Sequence, residues 1–256
     1  MKKLFALLLT AALVVTVFAG CGKNSSTESN NSSADSKKTI TMGTNATFPP
    51  FESVDDSGNI VGLDADIAAA IAEKLNMKLV IKDMDFDSLI PAVKGGSIDF
   101  AMAGMTVTDE RKESVNFTDT YAKGVQVVIV KEGSAIKTVD DLKGKKIGVQ
   151  TGTTGDSYCT GDYGQENVKQ FANGPLAVAA LQNGQIDCVV IDQQPAKAYV
   201  ASASGLKILD TAYADENYAI AVSKDNTELL NNMNKALSEL KAAGKIDEIV
   251  GKYIKE

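Results

Sequence analysis

Histidine and tryptophan are both missing from this chain, and cysteine occurs only three times. Without histidine there is no imidazole general base, no Ser-His or Cys-His nucleophile and no His-ligated metal centre. Cys21, Cys159 and Cys188 do not fall at metal-ligand spacing either, so no metal and no cofactor is expected. Positive charge is also scarce: 26 Lys and Arg against 33 Asp and Glu give a formal net charge of −7. Such a surface offers no electrostatic footprint for nucleic acid or for anionic headgroups. What the 256 residues do supply is a 44% hydrophobic composition, enough for one large core or two of ordinary size.

The amino terminus is an address. Residues 1–20 carry Lys2 and Lys3, then an almost wholly apolar stretch from Leu4 to Phe18, then Ala19 and Gly20 before Cys21. A charged start, an apolar run too short to span a bilayer comfortably and a small-residue cleavage site make a signal peptide. The segment resembles a bacterial lipoprotein signal, with Cys21 as the lipidated (palmitate-type) first residue of the mature protein, although Phe18 stands where leucine is usual. From Cys21 to residue 38 the chain is a Ser/Asn-rich tether, GKNSSTESNNSSADSKK after the cysteine. As a random coil it spans about 20–25 Å, which would hold a body just off the outer face of the plasma membrane. No later run reaches transmembrane length, so the protein is expected to be anchored and not to span.

The body, from residue 39, alternates strands and helices. Residues 40–43, 79–81, 100–103, 125–130, 146–150 and 188–191 read as buried strands. Leu63, Ile67, Ile71 and Leu75 make a helical stripe, with Asp64 placed to cap it. Further helices are expected at 87–94, at 176–182, at 195–202, and from 226 to the end with a break at Gly244. A short capped helix follows Thr138. This order implies mostly parallel sheets covered by helices on both faces. An internal echo points to two lobes: AVKGGSIDFAMAG at 92–104 parallels ALQNGQIDCVVID at 180–192. Both run helix, glycine stop, Ile-Asp, buried strand and loop, and open parallel sheets bind ligands at that last end.

Candidate ligand-holding residues cluster at those loops. Arg111 follows Thr106 and Thr108, where Thr108 can cap a helix opening with Asp109 and Glu110. Its ordinary role is a solvated helix residue, but a guanidinium just past a strand end also suits a bidentate grip on a carboxylate. The turn 151–155, TGTTG, opens a helix whose free N–H groups attract an anion, though it lacks the ending of a P-loop. Asp192 ends a strand as either an N-cap or a receiver for an ammonium group. Phe48 and Phe86 sit on loops, where they can pack in a core or sandwich a small side chain. Glu52 and Glu110 read as surface or capping acids. Cys159 and Cys188 remain as a pair able to form a disulfide outside the cytoplasm, if their geometry allows it.

Together the motifs GTNATFPPFE (43–52), GLDADIAAAIAEKL (62–75), DFDSLIPAVKGGSIDFAMAGMTVTDER (85–111), GKKIGVQTGTTGDSY (144–158) and IDCVVIDQQPAKAYV (186–200) resemble the solute-binding proteins of polar amino acid ABC importers. The resemblance covers the whole chain after the tether. It implies a two-lobed, type II periplasmic-binding-protein-like clamshell with two crossing strands. Residues 39–123 plus 217–256 would form one lobe and 124–216 the other. It also implies a monomer that captures an amino acid and hands it to a membrane permease. Arg111 with the backbone at Thr106 and Thr154 would hold the α-carboxylate. The carbonyl of Gly104, beside Ala103, with the Thr106 hydroxyl and Asp192, would hold the α-ammonium. Phe48 and Phe86 would flank the side chain, with Asn45, Gln150 and Thr153 near its tip. The uncharged amides favour a neutral, glutamine-like ligand first and a cationic one second. Two rivals stay open. One is a cyclohexadienyl-dehydratase-like enzyme on the same fold, which would need an acid in the cleft. The other is a receptor's ligand-sensing domain, which would need a spanning helix beyond Glu256.

Overall fold

The computed structural model describes residues 37–254; the signal segment, Cys21 and the tether up to residue 36 lie outside the described residues. The first strand, β1 (Thr39–Thr44), buries Ile40 and Met42. A small antiparallel sheet follows, made of β2 (Thr47–Phe48), β3 (Glu52–Val54) and β4 (Ile60–Val61). Next come α1 (Leu63–Lys74), β5 (Lys78–Asp83), α2 (Leu89–Lys94), β6 (Phe100–Ala101), α3 (Asp109–Ser114) and β7 (Val115–Phe117). The long β8 (Ala122–Lys131) leads to β9 (Ile147–Gln150), α4 (Thr154–Tyr163), β10 (Val168–Phe171), α5 (Gly174–Gln182), β11 (Cys188–Asp192), α6 (Gln193–Ser202) and β12 (Leu206–Ile208). The chain returns through β13 (Ala214–Tyr218) and β14 (Ala221–Ser223) to α7 (Thr227–Ala242) and α8 (Lys245–Tyr253).

These strands form two main sheets. One has the order β5-β1-β6-β14-β7; the other has β10-β9-β11-β8-β12, with β13 also paired to β8. The chain passes between them twice, just before β8 and just after β13, and the passages run side by side. Thr118 N–H donates to the Ile220 carbonyl at 3.0 Å, and Tyr121 N–H to the Tyr218 carbonyl at 2.9 Å. Among the described residues no helix is long and apolar enough to cross a membrane.

The sheets are mixed, not mostly parallel as the strand–helix alternation implied. β1 pairs parallel with β5 and β6, and β9 with β10 and β11. Every pairing of β8 and of β14 is antiparallel. Those two strands enter their sheets straight from the passages, with no crossover helix to impose a parallel direction. One other expectation changes, and the open pairing of the two cysteines is decided. Asp64 does not cap α1: Gly62 occupies that position, and the Asp64 side chain is buried. Cys159 and Cys188 are free thiols, both buried in the core between β9, β11 and α4. Burial pushes the Cys159 thiol up to about 12 and raises that of Cys188 as well, so neither is a reactive thiolate.

The internal echo is realised atom for atom. In the first sheet, Asp99 Oδ2 accepts from Thr41 N–H at 2.6 Å; in the second, Asp187 Oδ2 accepts from Lys146 N–H at 2.8 Å. In return Asp99 N–H donates to Thr41 O, and Asp187 N–H to Lys146 O. Each Ile-Asp therefore clips its strand to the start of the neighbouring one. Replacing either aspartate by alanine should cost about 1 kcal/mol. Calorimetry should show a Tm lower by about 2–4 °C for each, and nearly additive losses in the double variant.

Candidate functional site

A cavity of about 310 Å³ lies where the C-terminal ends of β1, β6, β9 and β11 face one another. The first sheet and its loops contribute Asn45, Phe48, Glu52, Phe86, Ala103, Gly104, Thr106 and Arg111; the second contributes Gln150, Thr153, Thr154 and Asp192. The fold thus brings all the sequence-derived candidates to one wall and adds Glu52, whose reading as a surface acid was wrong.

Arg111 is held by its own helix end. Thr108 caps α3 by accepting from Arg111 N–H at 3.1 Å, which starts the helix at Asp109 and turns the arginine inward. Its Nη1 donates to the Thr106 carbonyl at 2.7 Å and its Nη2 to the Gly152 carbonyl at 3.0 Å. The guanidinium also lies 5.4 Å from the centre of the Phe86 ring, a cation–π contact. Burial lowers its pKa, opposed first by Glu216 and then by Glu110. It remains a cation with an unfilled capacity for acceptors.

Gly104 is where a side chain would be strained. Its φ is +55°, and a Cβ would sit 2.9 Å from Phe48 Cε1. Its N–H donates to Asp64 Oδ2 at 2.8 Å, which fixes the loop carrying Thr106. The Thr106 hydroxyl donates to Glu216 Oε2 at 2.9 Å, leaving its lone pairs for a further donor. Across the cavity, Thr153 caps α4 by accepting from Asp156 N–H and donates to the Gln150 carbonyl at 2.8 Å. That hydroxyl is engaged within its own turn, while Thr154 opens the helix.

Asp192 stands at the N-cap of α6 but makes no side-chain cap bond. It accepts instead from Gln126 Nε2 at 2.8 Å and from the Tyr218 hydroxyl. Burial raises its pKa well above the usual carboxylate range, and Glu216 adds to this. Glu52 is fully buried at the start of β3, and burial, then neighbouring Asp64, raise it strongly too. Asp64 is raised to about 6 by burial, offset by the Gly104 N–H and the Tyr121 hydroxyl. Nothing in FPPFE marked Glu52 as buried; only the turn back to α1, with Gly62 pressed on the Phe51 carbonyl, places it there. Glu110 is exposed, as expected.

Beside the Thr106–Glu216 and Tyr218–Asp192 bonds, three more join the two parts directly. Gln150 Nε2 donates to Asn45 Oδ1 at 3.0 Å, Arg111 reaches Gly152 O, and the Tyr199 hydroxyl donates to the Thr47 carbonyl at 2.5 Å. Tyr199→Phe removes the one of these that touches no cavity-lining side chain. It should shift the unliganded protein toward an open form by about 1 kcal/mol, or about fivefold. Small-angle scattering would register this as a larger radius of gyration.

The sequence profile of the bacterial extracellular solute-binding proteins, family 3, matches residues 40–256. A probable histidine-binding protein of Neisseria gonorrhoeae is 37% identical over 260 residues, covering 99% of this chain and 96% of its own. An ancestral arginine-binding protein bound to glutamine superposes with a TM-score of 0.82 at 45% identity, over 86% of this chain and 99% of that one. The substrate-binding protein of an amino acid ABC transporter gives 0.80 at 44% identity, over 85% and 100%. With two sheets joined by paired passages and a cavity between their strand ends, the chain belongs to the bacterial extracellular solute-binding proteins of family 3.

Proposed function

We propose that the cavity captures the zwitterion of a polar amino acid and that the protein hands it to the permease of an ABC importer. One observation carries this reading. A guanidinium, Arg111, and a carboxylate, Asp192, come from different sheets and face one small cavity with hydrogen-bonding capacity to spare. The α-carboxylate fits Arg111 with the backbone N–H groups at Thr106 and Thr154. The α-ammonium fits the Gly104 carbonyl, the Thr106 hydroxyl and Asp192. Phe48 and Phe86 flank the side chain, which extends toward Asn45 and Gln150. There the amides are already partly used: Asn45 Nδ2 donates to the Met84 carbonyl, and Asn45 Oδ1 accepts from both Thr47 and Gln150. The free atoms at that end, Gln150 Oε1 and the Glu52 oxygens, are mostly acceptors. They suit side chains rich in N–H donors, whether a neutral amide such as glutamine or a cation.

Residues 39–123 with 217–256 and residues 124–216 then act as two lobes that close about the paired passages. A zwitterion that bridges them favours closure through contacts it makes only in the closed form. The same reading gives residues 1–20 as the signal, Cys21 as the lipid anchor and 21–38 as the tether of a monomer on the outer membrane face. It assigns the protein no chemical step.

Arg111→Ala should weaken amino acid binding by about 3–5 kcal/mol, since a buried carboxylate would lose its partner. Arg111→Lys should recover only part of this, because an ammonium cannot make the forked contact. Titration calorimetry on ligand-stripped protein, after a thermal-shift screen of the twenty amino acids, checks both. A screen in which no amino acid raises the Tm, or an alanine variant as tight as wild type, removes the proposal.

A further inference from the structure

Glu52 and Asp64 are buried side by side, since Asp64 N–H donates to the carbonyl of Phe51, the residue before Glu52, at 2.9 Å, and their carboxyls have more acceptors than donors. Asp64 Oδ2 is satisfied by Gly104 N–H at 2.8 Å and by the Tyr121 hydroxyl at 2.7 Å. Asp64 Oδ1 and both Glu52 oxygens, all buried, have no donor. The charges acting most on Glu52 are acids alone: Asp64 on α1, Asp192 at the end of β11 and Asp83 at the end of β5. The phenols of Tyr121 and of Tyr199 on α6 lie close enough to be raised by the charge of Glu52. Arg111 lines the same cavity, and its own acidic neighbours are Glu216, Glu110 and Asp192. A proton between Glu52 and Asp64 would satisfy two of the three orphaned oxygens and remove one of two adjacent buried charges.

We propose that the Glu52–Asp64 pair holds one proton when the cavity is empty or filled by a neutral side chain, and releases it when a cationic side chain enters. The proposal rests on the amino acid reading above and deepens it. The site would accept both classes of ligand by exchanging a proton for the ligand's charge. In that exchange one carboxyl O–H bond breaks, the proton leaves to solvent, and the freed carboxylate accepts N–H bonds from the guanidinium or ammonium; nothing becomes covalent with the ligand. With a neutral amide the carboxyl keeps its proton and can donate it in a hydrogen bond to the amide oxygen. Burial supports the direction, since both acids are raised and hold protons more tightly than usual. An entering cation works the other way.

The linkage has a definite sign. The cation-bound protein carries fewer protons, so affinity for arginine should rise with pH by up to about tenfold per pH unit. The rise spans the window between the pair's titration with the cation bound and its titration without it. Below that window the pair stays protonated in both states and the slope vanishes. Glutamine shares the zwitterion but not the charge, and its affinity should stay flat.

The test is titration calorimetry of the ligand-stripped full chain with arginine and with glutamine. It would run from about pH 5.5 to about pH 8, in buffers of different ionisation enthalpy. The expected result is about one proton released per arginine, none per glutamine, and an arginine slope that disappears in Glu52→Gln. Asp64→Asn, which leaves Glu52 without its acidic partner, should move the slope to lower pH. Arginine binding with no proton release, an equal release with glutamine, or a slope kept in Glu52→Gln overturns the exchange while leaving amino acid binding intact. Failure of either ligand to bind overturns the claim that both classes are accepted. Failure of every amino acid removes the underlying reading with it.

Discussion

Glu52 and Asp192 line the cavity, Asp64 and Glu216 are buried against its lining residues Gly104 and Thr106, and the lining holds one guanidinium; the geometry near the cavity answers to that imbalance. A buried carboxylate without donors is costly, so each must find N–H or O–H groups or hold a proton. The donors come from two places. Gly104 and Thr106 belong to the loop after β6; Tyr121, Gln126 and Tyr218 belong to the passages between the sheets or to the strands beside them. The elements that would bend on opening therefore also neutralise the floor of the cavity. Gly124 records how tightly the two are fitted: a Cβ there would lie 2.3 Å from the Tyr218 hydroxyl oxygen.

That shared network explains why a small ligand can govern a large motion. The bonds crossing the gap without ligand are few. Asn45–Gln150 is a neutral pair, and Tyr199 and Arg111 reach only backbone carbonyls. Each neutral bond contributes about 1 kcal/mol net, and that of the Arg111 guanidinium more, because water competes for the same groups once the gap opens. An amino acid adds charge-assisted bonds at both of its own charges, and those are roughly twice as strong.

Much of this was legible in the sequence because it is local. The TVTDER run announces its cap, and Arg111 follows from it. The Ile-Asp repeat announced two equivalent strand ends, and Asp99 and Asp187 turned out to make the same pair of bonds. What escaped was set by distant partners. Asp64 looks like a cap because it lies in the first turn of a helix, yet its donors are 40 and 57 residues away. Glu52 looks like a surface acid in a polar hairpin, and only the packing of that hairpin on α1 encloses it. The antiparallel direction of β8 was hidden too, since it depends on where the chain crosses and not on what any stretch of it contains.

Selectivity for charge in such a cavity need not come from changing its residues. If Arg111 and Asp192 take the α-groups, as proposed, the cost of binding different amino acids differs mainly at the side-chain end. There, a fixed carboxylate would reject a neutral amide by leaving a buried charge unpaired, and a fixed amide would reject a guanidinium by leaving the ligand's charge unpaired. Two adjacent acids avoid both penalties, because the proton between them is itself an exchangeable cation. In the proposed exchange it would stay with a neutral ligand and leave with a positive one, so the total charge enclosed would be the same in both complexes. The orphaned oxygens of Glu52 and Asp64, which would be a defect in a sealed core, then have a use in a cavity whose contents vary.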